Sequence, residues 1–122
     1  MLLTIRILLF LFGLISLITG FLGISAKYVA TEVTPAIDNN HRFTAAMWFS
    51  MSIAFFYVTK YPAETTLFRF LMIAMIIGGL VRVYGLRFYS ASPSIIVGII
   101  VEIIPPLIML WMHNQLLNSN SL

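Results

Sequence analysis

The sequence predicts an all-α polytopic membrane protein, an antiparallel bundle of four transmembrane helices with a kinked fourth helix. Three observations predict it. The 122-residue chain is 61% apolar and 9% charged, against about 25% charged in an ordinary soluble domain. Four long runs are almost free of charge. Turn and capping residues fall between those runs. A soluble fold of this composition would expose large apolar patches and aggregate, whereas lipid solvates an apolar surface. Soluble enzyme, nucleic-acid binder and disordered tail are thereby disfavoured.

The reading is one domain over 1–122, with spans at about 4–26, 42–60, 63–87 and 93–113. A span needs about 20 residues to cross a hydrocarbon core of about 30 Å. In the first, Ile7 to Ala26 carries no charge. A signal peptide is the alternative. Its basic start would be Arg6 alone, its apolar region is too long, and Ile24-Ser25-Ala26 is a poor cleavage site, so a retained helix is expected. The segment from Lys27 to Arg42 is the longest connection (loop 27–41). It holds Thr31, Glu32, Pro35 and Asp38 and is too short for a domain.

The second span follows Asp38-Asn39-Asn40, whose side-chain oxygens suit an N-cap. The third opens at Tyr61-Pro62-Ala63-Glu64, with an early proline and an acid in the first turn. Its only charges between Leu67 and Leu86 are Arg69 and Arg82, near the two ends. The fourth starts at Ser92-Pro93, a capping serine before an N1 proline. Its single charge is Glu102. Pro105-Pro106 removes two N–H donors and frees the carbonyls of Val101 and Glu102, so a kink is expected there. The tail, 114–122, is polar and expected to fray.

Small residues recur in register. Gly13, Ser16, Gly20 and Gly23 make a smooth seam on the first span; Ala46, Ser50 and Ala54 make a ladder on the second. Ala74, Gly78 and Gly79 do so on the third, and Ser94 and Gly98 on the fourth. Close helix packing in lipid uses such seams, and one of them facing a neighbouring subunit is the alternative. The methionines read as adaptable packing rather than a copper site.

An even number of spans puts both termini on one side. Tyr57, Tyr61 and Trp111 would form the aromatic belt there, and Tyr28, Tyr84 and Tyr89 the opposite belt. Basic residues divide almost evenly. Termini in the cytoplasm is the favoured orientation, because Arg42 and Arg82 are expected inside the fold rather than as flanking charges. The net charge of +3 comes from residues that stand singly. It therefore suits membrane flanks, and no nucleic-acid partner is expected. With no cysteine, disulfides, thiolate metal sites and thiol nucleophiles are excluded.

Glu102 is the most informative residue. It lies nine positions after Pro93, about 13 Å below that helix end. An unpaired carboxylate there is costly, so it should be paired, protonated or functional. Antiparallel threading brings Asp38, Asn39, Arg42, Arg82 and Glu102 toward one leaflet. Ser94, Gly98 and Glu102 share a helical face, and Gly98 leaves room for an arginine side chain or a ligand. Three roles fit such a cluster: a polar clamp that fixes helix register, a pocket for a lipid headgroup or small amphiphile, and a proton- or ion-coupled transport site. No catalytic motif, metal site or cofactor is expected: His41 and His113 should face opposite sides of the membrane, His113 as an interfacial residue.

Asp38-Asn39-x-x-Arg42-Phe43, Gly78-Gly79-Leu80-x-Arg82 and Glu102-x-x-Pro105, with Gly13 and Gly20, resemble the motifs of a bacterial family of small four-span membrane proteins, domain of unknown function 4345. The resemblance covers nearly the whole chain. It implies a bacterial inner-membrane location, a four-helix protomer, homo-oligomers such as trimers, and a supporting role in envelope barrier upkeep. Its marked residues are Asp38, Asn39, Arg42, Arg82, Glu102 and Pro105, and no catalytic activity comes with it. Small four-span drug exporters carry an essential acid in the first span, and this chain has none there. The expected function is non-enzymatic envelope maintenance by a homo-oligomer among membrane lipids. The alternatives are a small transporter that titrates Glu102 and an accessory subunit of a larger membrane complex.

Overall fold

A computed structural model describes residues 1–27 and 33–122. Tyr28, Thr31 and Glu32, named above for one aromatic belt and the long connection, lie outside the described residues. The described chain is all-α, with α1 (Leu2–Ser25), α2 (Pro35–Lys60), α3 (Thr65–Gly85) and α4 (Pro93–Asn118). Among the described residues three helices, α1, α3 and α4, are long and apolar enough to cross a membrane. They mark a membrane-embedded protein. The second expected span, α2, is not among the three. Its uncharged run is short, and Thr44, Ser50, Ser52, Tyr57 and Thr59 dilute it.

The chain forms two compact units, Arg6–Tyr61 and Met1–Ile5 with Pro62–Leu122. In the first, α1 meets α2 through its glycines. A Cβ on Gly20 would stand 2.5 Å from the backbone nitrogen of Phe49, and one on Gly23 would stand 2.6 Å from the Ala45 Cβ. One on Gly13 would enter the Phe56 ring. These partners run in opposite order along the two helices, so α1 and α2 are antiparallel. Phe12 and Phe55 pack alongside, 5.9 Å between ring centres.

Three details are set by the structure. The residues of α2 nearest the α1 glycines are Ala45, Phe49 and Phe56. Because the glycines of α1 supply the room, α2 can present large side chains to them. Ser50 is exposed and returns its hydroxyl to the Ala46 carbonyl. Secondly, α2 begins at Pro35 rather than after Asn40. Thr34 is its N-cap and accepts from the Ile37 N–H at 3.3 Å. The Thr-Pro pair is the stronger start signal, and Asp38 then sits in the first turn, where a carboxylate favours the helix dipole. Thirdly, α4 runs on to Asn118, past the tail expected to fray at 114. Leu116, 6% exposed, holds the extra turn in place.

In the second unit α3 packs along α4. Phe68, Leu71, Met72 and Met75 are buried on α3, and Met109, Met112, His113 and Leu116 on α4. Both sets repeat at three- and four-residue spacing, the stripe that a helix buries. Methionine fills much of it, since a flexible thioether adapts to irregular gaps. The caps at this end follow the sequence: the Ser92 hydroxyl accepts from the Ile95 N–H, and Pro93 follows it. At α3, by contrast, Glu64 is the N-cap residue without a side-chain cap bond, and Pro62 stands in the preceding turn. Pro105 and Pro106 lie inside one continuous helix.

Candidate functional site

Two arginine–carboxylate pairs stand out, one in each unit. Arg82 lies in the last turn of α3. Its Nε donates to Glu102 Oε2 at 2.8 Å. Three glycines make the approach possible. At Gly79 a Cβ would stand 2.5 Å from Ile103 Cγ1, so α3 and α4 touch almost backbone to side chain. Gly78 faces the carboxylate, with Oε2 at 3.6 Å from a Cβ built there. Gly98 lies under the arginine, whose Cδ, Nε and Cζ would each be 3.7 Å from its Cβ. Of the three, Gly98 is the one the sequence spacing expected to leave room.

The two partners differ in exposure. The Glu102 side chain is 11% exposed, while that of Arg82 is 46% exposed. The terminal nitrogens of Arg82 make no hydrogen bond among the described residues. A guanidinium carries five N–H donors in a planar fork. Here one is used, and the edge that suits a phosphate or carboxylate stays open.

Arg42 is the opposite case. Its Nε donates to Asp38 Oδ2 at 2.9 Å, one turn back on α2. Its Nη1 donates to the Ile24 carbonyl at 2.5 Å and its Nη2 to the Ala26 carbonyl at 2.8 Å. Helix α1 ends at Ser25, so this guanidinium caps the orphan carbonyls of α1 and sits at the negative end of its dipole. Asn39 and His41 are exposed. Of the five residues expected to gather, the structure thus describes two pairs, Asp38 with Arg42 and Glu102 with Arg82. Among the described residues, Asn39 is not hydrogen-bonded into either.

Sequence reasoning missed His113. It is fully buried, not interfacial. Its ring stacks on Phe68 at 4.0 Å, and its Nε2 donates to the Pro62 carbonyl at 2.9 Å. Nδ1 is buried with no hydrogen-bond partner among the described residues. The bond ties the turn before α3 to α4. The signal was present: 102, 106, 109, 113 and 116 step along one stripe, and His113 falls on it. Nearby, Arg69 donates to Asn114 Oδ1 at 3.1 Å. Among the described residues, no group of three His, Asp or Glu side chains is placed to hold a metal.

No curated protein and no solved structure matches the chain. A family described as a domain of unknown function (DUF4345) matches residues 2–113, which includes both pairs and the glycines around them. The chain belongs to that family.

Proposed function

We propose that this is a non-enzymatic multi-pass protein of the bacterial inner membrane that supports the envelope barrier and binds an anionic lipid or amphiphile at Arg82. In this reading all four helices cross as an antiparallel bundle, α4 bends at Pro105-Pro106, both termini are cytoplasmic, and protomers associate as homo-oligomers such as trimers. One observation carries the ligand: an arginine in a membrane helix spends a single N–H on Glu102 and leaves its other nitrogens open and half exposed. In hydrocarbon such donors demand an acceptor. A phosphate at headgroup depth supplies it, because long basic side chains reach toward the interface.

The transporter reading makes Glu102 release and regain protons in each cycle. The close pair with Arg82 favours a carboxylate held in place, as a positioning group for the guanidinium. Glu102→Gln separates the two. In a transporter it abolishes flux; in a lipid-binding protein it leaves bound lipid but loosens it. For the ligand itself, the purified full chain in nanodiscs is offered phosphatidylglycerol, and retained lipid is counted by native mass spectrometry. Arg82→Gln should lower retention about tenfold, the equivalent of about 1.4 kcal/mol, with the fold intact. Unchanged retention in that variant rejects the site. In the host bacterium, loss of the chain should raise sensitivity to detergents and bulky antibiotics, and Arg82→Gln should fail to restore resistance.

A further inference from the structure

A second donor stands beside the open edge of Arg82. Gly78, Arg82 and Gly85 step by four and three residues along one face of α3. Gly78 faces the Glu102 carboxylate, and Gly85 carries the Tyr89 ring: a Cβ there would strike the Tyr89 hydroxyl and stand 2.8 Å from its Cζ. Gly85 does not have a positive φ, so it provides space rather than an unusual backbone. The chain folds back directly after α3, where the Phe88 N–H donates to the Gly85 carbonyl at 2.9 Å, and the next residue lays its ring on the glycine. The Tyr89 hydroxyl therefore sits on the turn that follows Arg82, within electrostatic reach of the guanidinium. Tyr89 is half exposed, and among the described residues its hydroxyl makes no hydrogen bond.

Two polar neighbours at this end of the unit are engaged. Ser94 shares a hydrogen bond with Ser92 at 3.0 Å, and Arg87 lies over the Tyr84 ring, 5.4 Å from its centre. Tyr89 keeps a free O–H at the depth where tyrosine meets lipid headgroups. A guanidinium fork alone satisfies a planar carboxylate, whose two oxygens it takes bidentately. A phosphate is tetrahedral and holds further oxygens outside that plane, which a third donor can reach. We propose that Tyr89 donates to a phosphate oxygen of a lipid headgroup held by Arg82, so that the site takes phospholipids in preference to fatty carboxylates. The proposal rests on the Arg82 reading and narrows its ligand.

The test uses the full chain in mild detergent at about pH 8, where phosphatidylglycerol and myristate both carry a negative charge. Retention of each is counted by native mass spectrometry. Tyr89→Phe keeps the ring on Gly85 and removes only the hydroxyl. It should lower phosphatidylglycerol retention about fivefold, the loss expected for one hydrogen bond to a charged group at a partly exposed site, and leave myristate within about twofold. Gly85→Ala pushes the hydroxyl off its seat with every hydrogen-bonding group still present, and alanine is well tolerated in a helix. It should reproduce the selective loss. Full phosphatidylglycerol retention in either variant overturns the proposal, and so does an equal loss of both lipids. Failure of the Arg82 reading looks different: Arg82→Gln would then leave both lipids in place, whereas the proposal needs it to lower both, by about tenfold.

Discussion

Among the described residues Arg42 and Arg82 each meet one carboxylate at nearly the same distance, 2.9 and 2.8 Å, yet their surroundings differ. Arg42 spends all three nitrogens: one on Asp38, one on the Ile24 carbonyl in the last turn of α1 and one on the Ala26 carbonyl just beyond it. Arg82 spends one. A guanidinium with all its nitrogens engaged acts as a structural fastener; one with an open edge keeps donors free, which the proposed reading uses for a ligand. Residue type and depth alone do not separate the two; the count of occupied donors does.

The largest effect should come from the helix contact that lets Arg42 reach α1. Gly20→Val places its side chain on the backbone of α2, which cannot move aside as a flexible side chain can. Overpacking of this kind costs about 1–3 kcal/mol and more when backbone must shift. Unfolding in graded denaturing detergent should show Gly20→Val as the least stable variant, below Gly13→Ala, whose neighbour is the Phe56 ring. Equal stability of the two would mean that α1 and α2 do not touch as closely as described.

Next comes the contrast between the arginines themselves. Arg42→Ala strands the carbonyls of Ile24 and Ala26, and hydrogen bonds to a charged group are worth about 1.5–3 kcal/mol each before solvent screening. Partial exposure reduces that to about 2–3 kcal/mol in total. Arg82→Ala removes a half-exposed side chain and should change stability by about 1 kcal/mol or less. Asp38→Asn should also act weakly, since Arg42 keeps both carbonyl bonds and a part-buried pair one helical turn apart contributes on the order of 0.5 kcal/mol. The comparison breaks if Arg82→Ala destabilises the protein as much as Arg42→Ala does.

How much of this was legible in the sequence depends on what each signal encodes. The helices were legible because hydropathy and charge are local properties. The Arg82–Glu102 pair was legible because two charges in apolar runs must find each other, and antiparallel threading set their depths. The role of Arg42 was not. Backbone carbonyls leave no trace in residue types, so a side chain that caps another helix reads only as a charge near an interface. The start of α2 was misplaced for a related reason: the apolar run begins after the helix does, and Thr34-Pro35 marks the helix. His113 was misread because polarity was weighed above its place on the buried stripe of α4.

The glycines around Arg82 give the finest distinction and the smallest effect. Gly79 and Gly98 both lie at the α3–α4 contact, but a Cβ on Gly79 would press Ile103 Cγ1 at 2.5 Å, whereas one on Gly98 would rest at 3.7 Å from the Arg82 side chain. Gly79→Ala should therefore destabilise by about 1–2 kcal/mol as the helices part. Gly98→Ala sits at ordinary contact distance in a helix interior, where alanine is favoured over glycine by roughly 0.5–1 kcal/mol. Its stability should stay level or rise slightly. Gly98→Leu goes further, because its longer side chain occupies the space where the guanidinium stem lies. It should lower phosphatidylglycerol retention while Gly98→Ala leaves it intact, a difference that native mass spectrometry reads directly. If both substitutions leave retention alone, Arg82 does not need its glycine bed to present an open edge, and the distinction between the two arginines must rest on something other than the space beneath Arg82.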